Sequence, residues 1–116
     1  MPARETDLDR AAQILKTVAH PMRLRIVALL CRGDESVGAM AERLGTSATT
    51  VSQALGVLRQ ERLVAVARRD RRTRYRLEER ALRQLIPCIE RLAAGSPQAR
   101  AAAPRRRPAL RLPPGA

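Results

Sequence analysis

Residues 36–60 read SVGAMAERLGTSATTVSQALGVLRQ. Val37, Met40, Ala41 and Leu44 fall at i, i+3, i+4 and i+7, which is one apolar face of a helix barely two turns long. Ser36 before them suits an N-cap, and Gly45 after them suits a helix stop. Ser47 then caps a longer helix that runs to about Arg62. Its inward residues are Val51, Ala54, Leu55 and Leu58. Its other face carries Thr49, Thr50, Ser52, Gln53 and Arg59, all hydrogen-bond donors. A short supporting helix, a tight turn and a longer polar-faced helix make a helix-turn-helix pattern.

Downstream the period changes from helical to alternating. Leu63–Arg68 reads as a strand, residues 69–72 as a turn, and Thr73–Leu77 as the returning strand. Alternation puts Thr73, Tyr75 and Leu77 on one face and Arg72, Arg74 and Arg76 on the other. The hairpin thus has an apolar underside and a guanidinium upper side. A last helix is expected from about Glu78 to Ala94, with Leu82, Leu85, Ile86, Ile89, Leu92 and Ala93 as its stripe. Pro87 inside it predicts a kink or break near Arg83–Pro87. Upstream, Leu8, Ala11, Ala12, Leu15 and Val18 space a first helix from Asp7, and His20-Pro21 breaks it. Pro21 opens a second helix with the stripe Met22, Ile26, Leu29 and Leu30, ended by Gly33. The expected fold is mainly α with a small β-hairpin, a winged helix-turn-helix of about five helices plus a two-stranded wing. Residues 1–94 form that domain, and the Pro/Arg-rich residues 95–116 read as a disordered tail.

Composition narrows the function. The 116 residues carry 23 Lys and Arg against 11 Asp and Glu, a formal net charge of +12. That surplus calls for a polyanion, with DNA or RNA first and an anionic membrane second. No apolar run approaches the ~18 residues of a membrane span, and the N-terminus has no signal-peptide stretch. The expected location is the cytoplasm, with Cys31 and Cys88 reduced. Tyr75 is the sole aromatic, so stacking platforms for single strands are nearly excluded. His20 is the sole histidine, which leaves triads, Cys-His pairs and zinc sites all competing for one residue. No enzyme activity and no cofactor are expected.

The charge is also localised. Residues 62–76 hold seven arginines against one acid, a surplus of six, and residues 95–116 hold five arginines and no acid. The rest of the chain is nearly neutral. A helix fits the DNA major groove and offers short polar side chains to base edges and phosphates. An arginine-tipped hairpin lies along the backbone or enters the adjacent minor groove. The candidate contacts are Ser47, Thr49, Thr50, Ser52, Gln53 and Arg59 on the helix, with Arg68, Arg69, Arg71, Arg72 and Arg74 on the hairpin. Taken singly, each of these features is also what an ordinary solvated face looks like. Their order along the chain is what favours double-stranded DNA. The competing reading is an architectural DNA- or RNA-binding basic module that senses nothing.

Leu15–Leu77 also resembles the ArsR/SmtB family of bacterial winged-helix repressors. The matching pieces are residues 15–26 (LKTVAHPMRLRI), 35–38 (ESVG), 49–58 (TTVSQALGVL) and the hairpin end Tyr75-Arg76-Leu77. With flanking helices the likeness covers about 80 residues. It implies a homodimer paired through its first and last helices, binding a palindromic operator until a signal releases it. Departures from the family pattern are specific. Ser36 and Gly38 stand where many members carry metal-binding cysteines. The last helix offers Glu78, Glu79 and Glu90 but no His for the family's zinc site. Ala54 replaces a histidine common after the Ser-Gln pair. No metal site is therefore expected, and His20 is read as a helix-joining turn residue.

One branch of that family senses oxidants or reactive sulfur through one cysteine on the second helix and another on the last. Cys31 and Cys88 lie on those two elements, with Cys31 about one turn later and Cys88 nearly two turns earlier than the branch pattern. Three readings stand open at this point: small buried hydrophobes, a redox pair that needs Cα atoms within ~7 Å, or a soft-metal site completed by a partner subunit. The tail arginines Arg105, Arg106, Arg107 and Arg111 suit a nonspecific phosphate contact or a solvated extension equally.

Overall fold

The computed structural model describes residues 5–69 and 71–95, with side chains from residue 7 to 68 and again from 71. The elements run α1 (Glu5–Val18), α2 (Pro21–Leu30), α3 (Val37–Leu44), α4 (Ala48–Gln60), β1 (Val64–Arg69), β2 (Arg72–Leu77) and α5 (Ala81–Ala94). Five helices and one antiparallel hairpin match the expected winged helix-turn-helix. The tail reading falls on residues that, from 96 on, lie outside the described ones, as does Asp70 of the turn.

The two central helices start and stop as their sequence predicts. Ser36 caps α3 by accepting from Ala39 N–H at 3.2 Å, and Ser47 caps α4 by accepting from Thr50 N–H at 3.0 Å. Gly45 ends α3 at φ 64°, a left-handed position that costs glycine nothing. Thr46 N–H then reaches Ala41 O at 3.0 Å and Gly45 N–H reaches Glu42 O at 3.3 Å. Those two bonds satisfy carbonyls that the end of a helix leaves free, and they turn the chain straight into α4.

α2 is the hub. Ile26, Val27, Ala28, Leu29 and Leu30 are all buried, so the second half of α2 is apolar on every side rather than along a single stripe. Met40 of α3, Val51, Leu55 and Leu58 of α4, Leu63, and Leu82 and Ile86 of α5 complete the core. α2 ends at Leu30, not Gly33, although Arg32 N–H to Leu29 O and Gly33 N–H to Leu30 O continue a tighter turn.

The outer helices depart from expectation. On α1 the core side is Ile14, Thr17 and Val18, whereas Leu8 and Leu15, placed on the apolar stripe, are 59% and 47% exposed. Thr17 is buried because its hydroxyl donates to Gln13 O at 2.9 Å, while Arg23 Nε donates to Thr17 O at 2.7 Å and ties the α1–α2 corner. α5 begins at Ala81, three residues later than expected. It then runs unbroken through Pro87, so of the expected kink or break the break is absent. Leu82 and Ile86 anchor it, and Leu92 is 75% exposed. Leu82 and Ile86 hold the turns just before Pro87 against the core, where one missing backbone bond would otherwise loosen the helix.

Leu58 is fully buried in the last turn of α4. Leu58→Ala is expected to cost about 2–5 kcal/mol of unfolding free energy. Urea titration followed by circular dichroism measures it, and a loss below about 1 kcal/mol would show that this packing is loose.

Candidate nucleic-acid interface

α4 is pinned by its inner face and leaves a polar strip outside. Thr49, Ser52, Gln53 and Arg59 are exposed and recur three to four residues apart, with exposed Gly56 on the same strip. Ser47 is exposed and Thr50 half-buried, and their hydroxyls are joined, Ser47 Oγ donating to Thr50 Oγ1 at 2.9 Å. Both therefore have a structural task at the cap. Thr50 keeps its own O–H to offer outward, and Ser47 keeps a spare lone pair. The start of α4 also presents free backbone N–H groups, and its positive end favours an anion.

The hairpin follows at once. Its register is Val64↔Leu77, Ala65↔Arg76, Val66↔Tyr75, Ala67↔Arg74, Arg68↔Thr73 and Arg69↔Arg72. Opposed residues share a face, so Val64, Val66, Tyr75 and Leu77 form the apolar underside. Arg72, Arg74 and Arg76 share the other face with Ala65 and Ala67, as alternation predicts. Arg68 lies with Thr73 on the opposite face, near the tip, where both are exposed. The connection is a two-residue loop in which Arg71 takes φ 66°. A non-glycine residue there costs roughly 1 kcal/mol, and it turns an exposed guanidinium out at the tip.

Arg74 behaves differently from its neighbours. It is half-buried and donates from Nη1 to Asp34 O at 3.4 Å. Beside it, Glu35 and Tyr75 exchange backbone bonds, 3.0 Å from Glu35 N–H to Tyr75 O and 2.8 Å in return. The α2–α3 connection thus adds a one-residue third rung to the sheet. Sequence reading missed this rung, since a single bridge leaves no periodicity to detect. Arg76 is exposed and pairs with Glu78 at 3.6 Å, and Arg68, Arg71 and Arg72 are the other exposed hairpin cations with described side chains. Arg69 is placed only by its backbone pairing.

The two cysteines are free thiols on different surroundings. Cys31 is half-buried at the end of α2, its Sγ 3.8 Å from Leu82 O, and Arg83 Nη1 donates to Cys31 O at 2.7 Å. Cys88 is exposed six residues beyond Leu82, with Arg91 Nη2 3.3 Å from its Sγ. Six helical residues are about 9 Å of rise, and the two thiols are not joined in a disulfide. Burial pushes the Cys31 thiol above its ordinary value, with Arg83 pulling it partly back. Among the described residues no three His, Cys, Asp or Glu side chains gather as a metal-binding set. No described helix is long and apolar enough to cross a membrane.

These features have counterparts in known proteins. The profile of the bacterial regulatory protein arsR family matches residues 20–66. The biofilm growth-associated repressor of Xylella fastidiosa is 39% identical over 85 residues, 73% of this chain and 75% of its own length. HlyU from Vibrio cholerae superposes with a TM-score of 0.70 at 30% identity, over 77% of this chain and 97% of its own. A homodimeric winged helix-turn-helix DNA-binding domain from Mycobacterium bovis, titled a possible ArsR-family regulator, gives 0.68 at 31% identity. That match covers 80% of this chain and 87% of the other.

A thiol whose folded-state pKa is raised favours the neutral form, so its contribution to stability is present at neutral pH and lost as pH climbs through the folded value. Iodoacetamide should therefore label Cys31 in a Cys88→Ser variant more slowly than free cysteine at pH 8, and at the free rate in urea. Equal rates without urea would contradict the burial of Cys31.

Proposed function

Because the chain belongs to the arsR family of bacterial regulatory proteins, we propose that it is a sequence-specific transcriptional repressor. In this reading it binds a palindromic operator as a homodimer in the cytoplasm, without a catalytic step. The observation that carries the reading is the exposed strip Thr49, Ser52, Gln53 and Arg59 on a helix whose other face is locked in the core, followed directly by the arginine hairpin. Side chains on such a helix reach base edges and specify sequence, while hairpin arginines reach phosphates or the minor groove and position the protein. Arg71 and Arg72 carry the wing contact best. Arg74, tied to Asp34 O, contributes chiefly by holding the wing to the body.

Dimerisation is supported by the outer helices. Leu8 and Leu15 on α1 and Leu92 on α5 are exposed apolar residues. Between the start of α2 and α5 lies a mainly apolar cleft of about 490 Å³, its floor formed by residues such as Leu24, Ala28, Ile86 and Ile89, with His20, Arg25 and Glu90 also lining it. A second copy covering these surfaces would set two α4 helices against half-sites one helical turn, ~34–36 Å, apart. Binding would then depend on the angle between protomers, and a signal at the outer helices would change it. The signal we assign is oxidation or persulfidation of a thiol. At Cys31 the added group would wedge the α2–α5 contact at Leu82 O.

A duplex selected from a random library by the wild-type protein supplies the operator probe, with poly(dI-dC) as nonspecific competitor. Gln53→Ala should weaken the selected duplex by ~1–3 kcal/mol and leave poly(dI-dC) binding unchanged. Equal losses on both would favour a non-sensing architectural module. Arg72→Ala should lower the salt slope by about one unit on either DNA. Polysulfide treatment should release the selected duplex from wild type but not from Cys31→Ser, and an identical response in the two proteins removes the thiol assignment.

A further inference from the structure

Arg10 lies on α1, remote in sequence from every residue of the proposed DNA surface, yet its guanidinium closes on the end of α4. Nη1 donates to Glu61 Oε1 at 2.7 Å and Nη2 to Glu61 O at 2.6 Å. Glu61 is the C-cap of α4, and its own N–H goes back to Val57 O at 3.3 Å. An acid at that end faces the negative pole of the helix dipole and is unfavourable by itself. Arg10 offsets both the carboxylate and a helix-end carbonyl that has no partner inside the helix. Immediately afterwards Arg62 takes φ 60° and swings the chain into β1. One side chain of α1 therefore grips the elbow at which α4 becomes the wing.

We propose that Arg10 is a positioning residue for DNA binding, holding the angle between the polar-faced helix and the arginine hairpin and tying that angle to α1. The inference rests on the DNA-binding reading above and adds a residue to it that does not touch DNA. Base readout by α4 and backbone contact by the wing must occur on one duplex at once, so their relative orientation matters for the selected sequence. Nonspecific attraction depends on charge and tolerates a looser elbow. The same link makes α1, whose outer face is apolar and exposed, a route by which movement at a dimer contact reaches the DNA surface.

The test uses the full chain with Arg10→Ala, Arg10→Lys and Glu61→Gln, the selected duplex and poly(dI-dC), all at a temperature where circular dichroism shows each variant folded. Arg10→Ala should weaken the selected duplex roughly five- to tenfold while leaving poly(dI-dC) affinity and the salt slope unchanged. Arg10→Lys keeps the charge but cannot hold two acceptors with one planar fork, and should recover less than half of the loss. Arg10→Ala should cost less in the Glu61→Gln background than in wild type, where the charged acceptor is present, although the backbone acceptor remains in both. A drop of one unit in salt slope would make Arg10 a phosphate contact and overturn the proposal. So would unchanged affinity for the selected duplex, equal loss on both DNAs, full recovery by lysine, or additive losses with Glu61→Gln. Failure of the wild-type chain to select any duplex would defeat the DNA-binding reading itself.

Discussion

Val51, Leu55 and Leu58 are at most 1% exposed, and their burial fixes how α4 is rotated about its own axis. Turning the helix by one residue, 100°, so that each side chain takes the place of the next would put Val51, Leu55 and Leu58 at the exposed places of Ser52, Gly56 and Arg59. Each fully buried leucine or valine contributes ~1.5–3 kcal/mol relative to exposure, so that rotation is closed to the folded chain. The outward strip is therefore as sharply placed as the inward one, with no contact of its own required. α2 makes this possible, because a helix whose second half is apolar on every side gives α3, α4, the hairpin and α5 a common wall. Everything the molecule presents to a partner is presented from that wall.

Much of this was legible in the residues because it is local or periodic. Ser36, Gly45 and Ser47 mark the ends of two helices by side-chain chemistry alone, and the change from a 3.6 to a 2.0 period at Leu63 marks the wing. What was not legible is long-range. Arg10 meets Glu61 across 51 positions, Arg74 meets Asp34 across 40 and Arg83 meets Cys31 across 52. None of these leaves a trace in spacing, since an arginine that caps a distant carbonyl and one that waits for a phosphate look the same in sequence. Of the kink or break expected at Pro87 the break is absent, because that expectation weighed one local penalty without the anchoring of Leu82 and Ile86 in the turns before it. The stripe on α1 was real, but periodicity cannot say which surface a stripe will cover.

The arginines divide by what they hold. Arg10, Arg23, Arg74 and Arg83 each donate to backbone carbonyls, three of them at helix ends that need donors. Their planar forks serve as internal struts, and their charge is a by-product. Arg68, Arg71 and Arg72 are exposed at the hairpin. A net charge of +12 thus overstates the attraction available to a polyanion, because part of it is engaged in architecture.

The hairpin's two edges are unequal. β2 is paired on one side with β1 and is touched on the other by Glu35, while β1 has no further strand beside it in the two-stranded sheet. An open edge rich in Val and Ala invites another chain to add a strand, the first step of aggregation. Here that edge ends in Arg68 and Arg69, with more arginine across the turn. Two such hairpins approaching edge to edge bring like charges together before any backbone bond can form. The cations suited to a phosphate backbone thereby act as gatekeepers against self-association in the DNA-free protein. Salt that screens one role screens the other, so solubility and DNA affinity are coupled through the same few guanidinium groups.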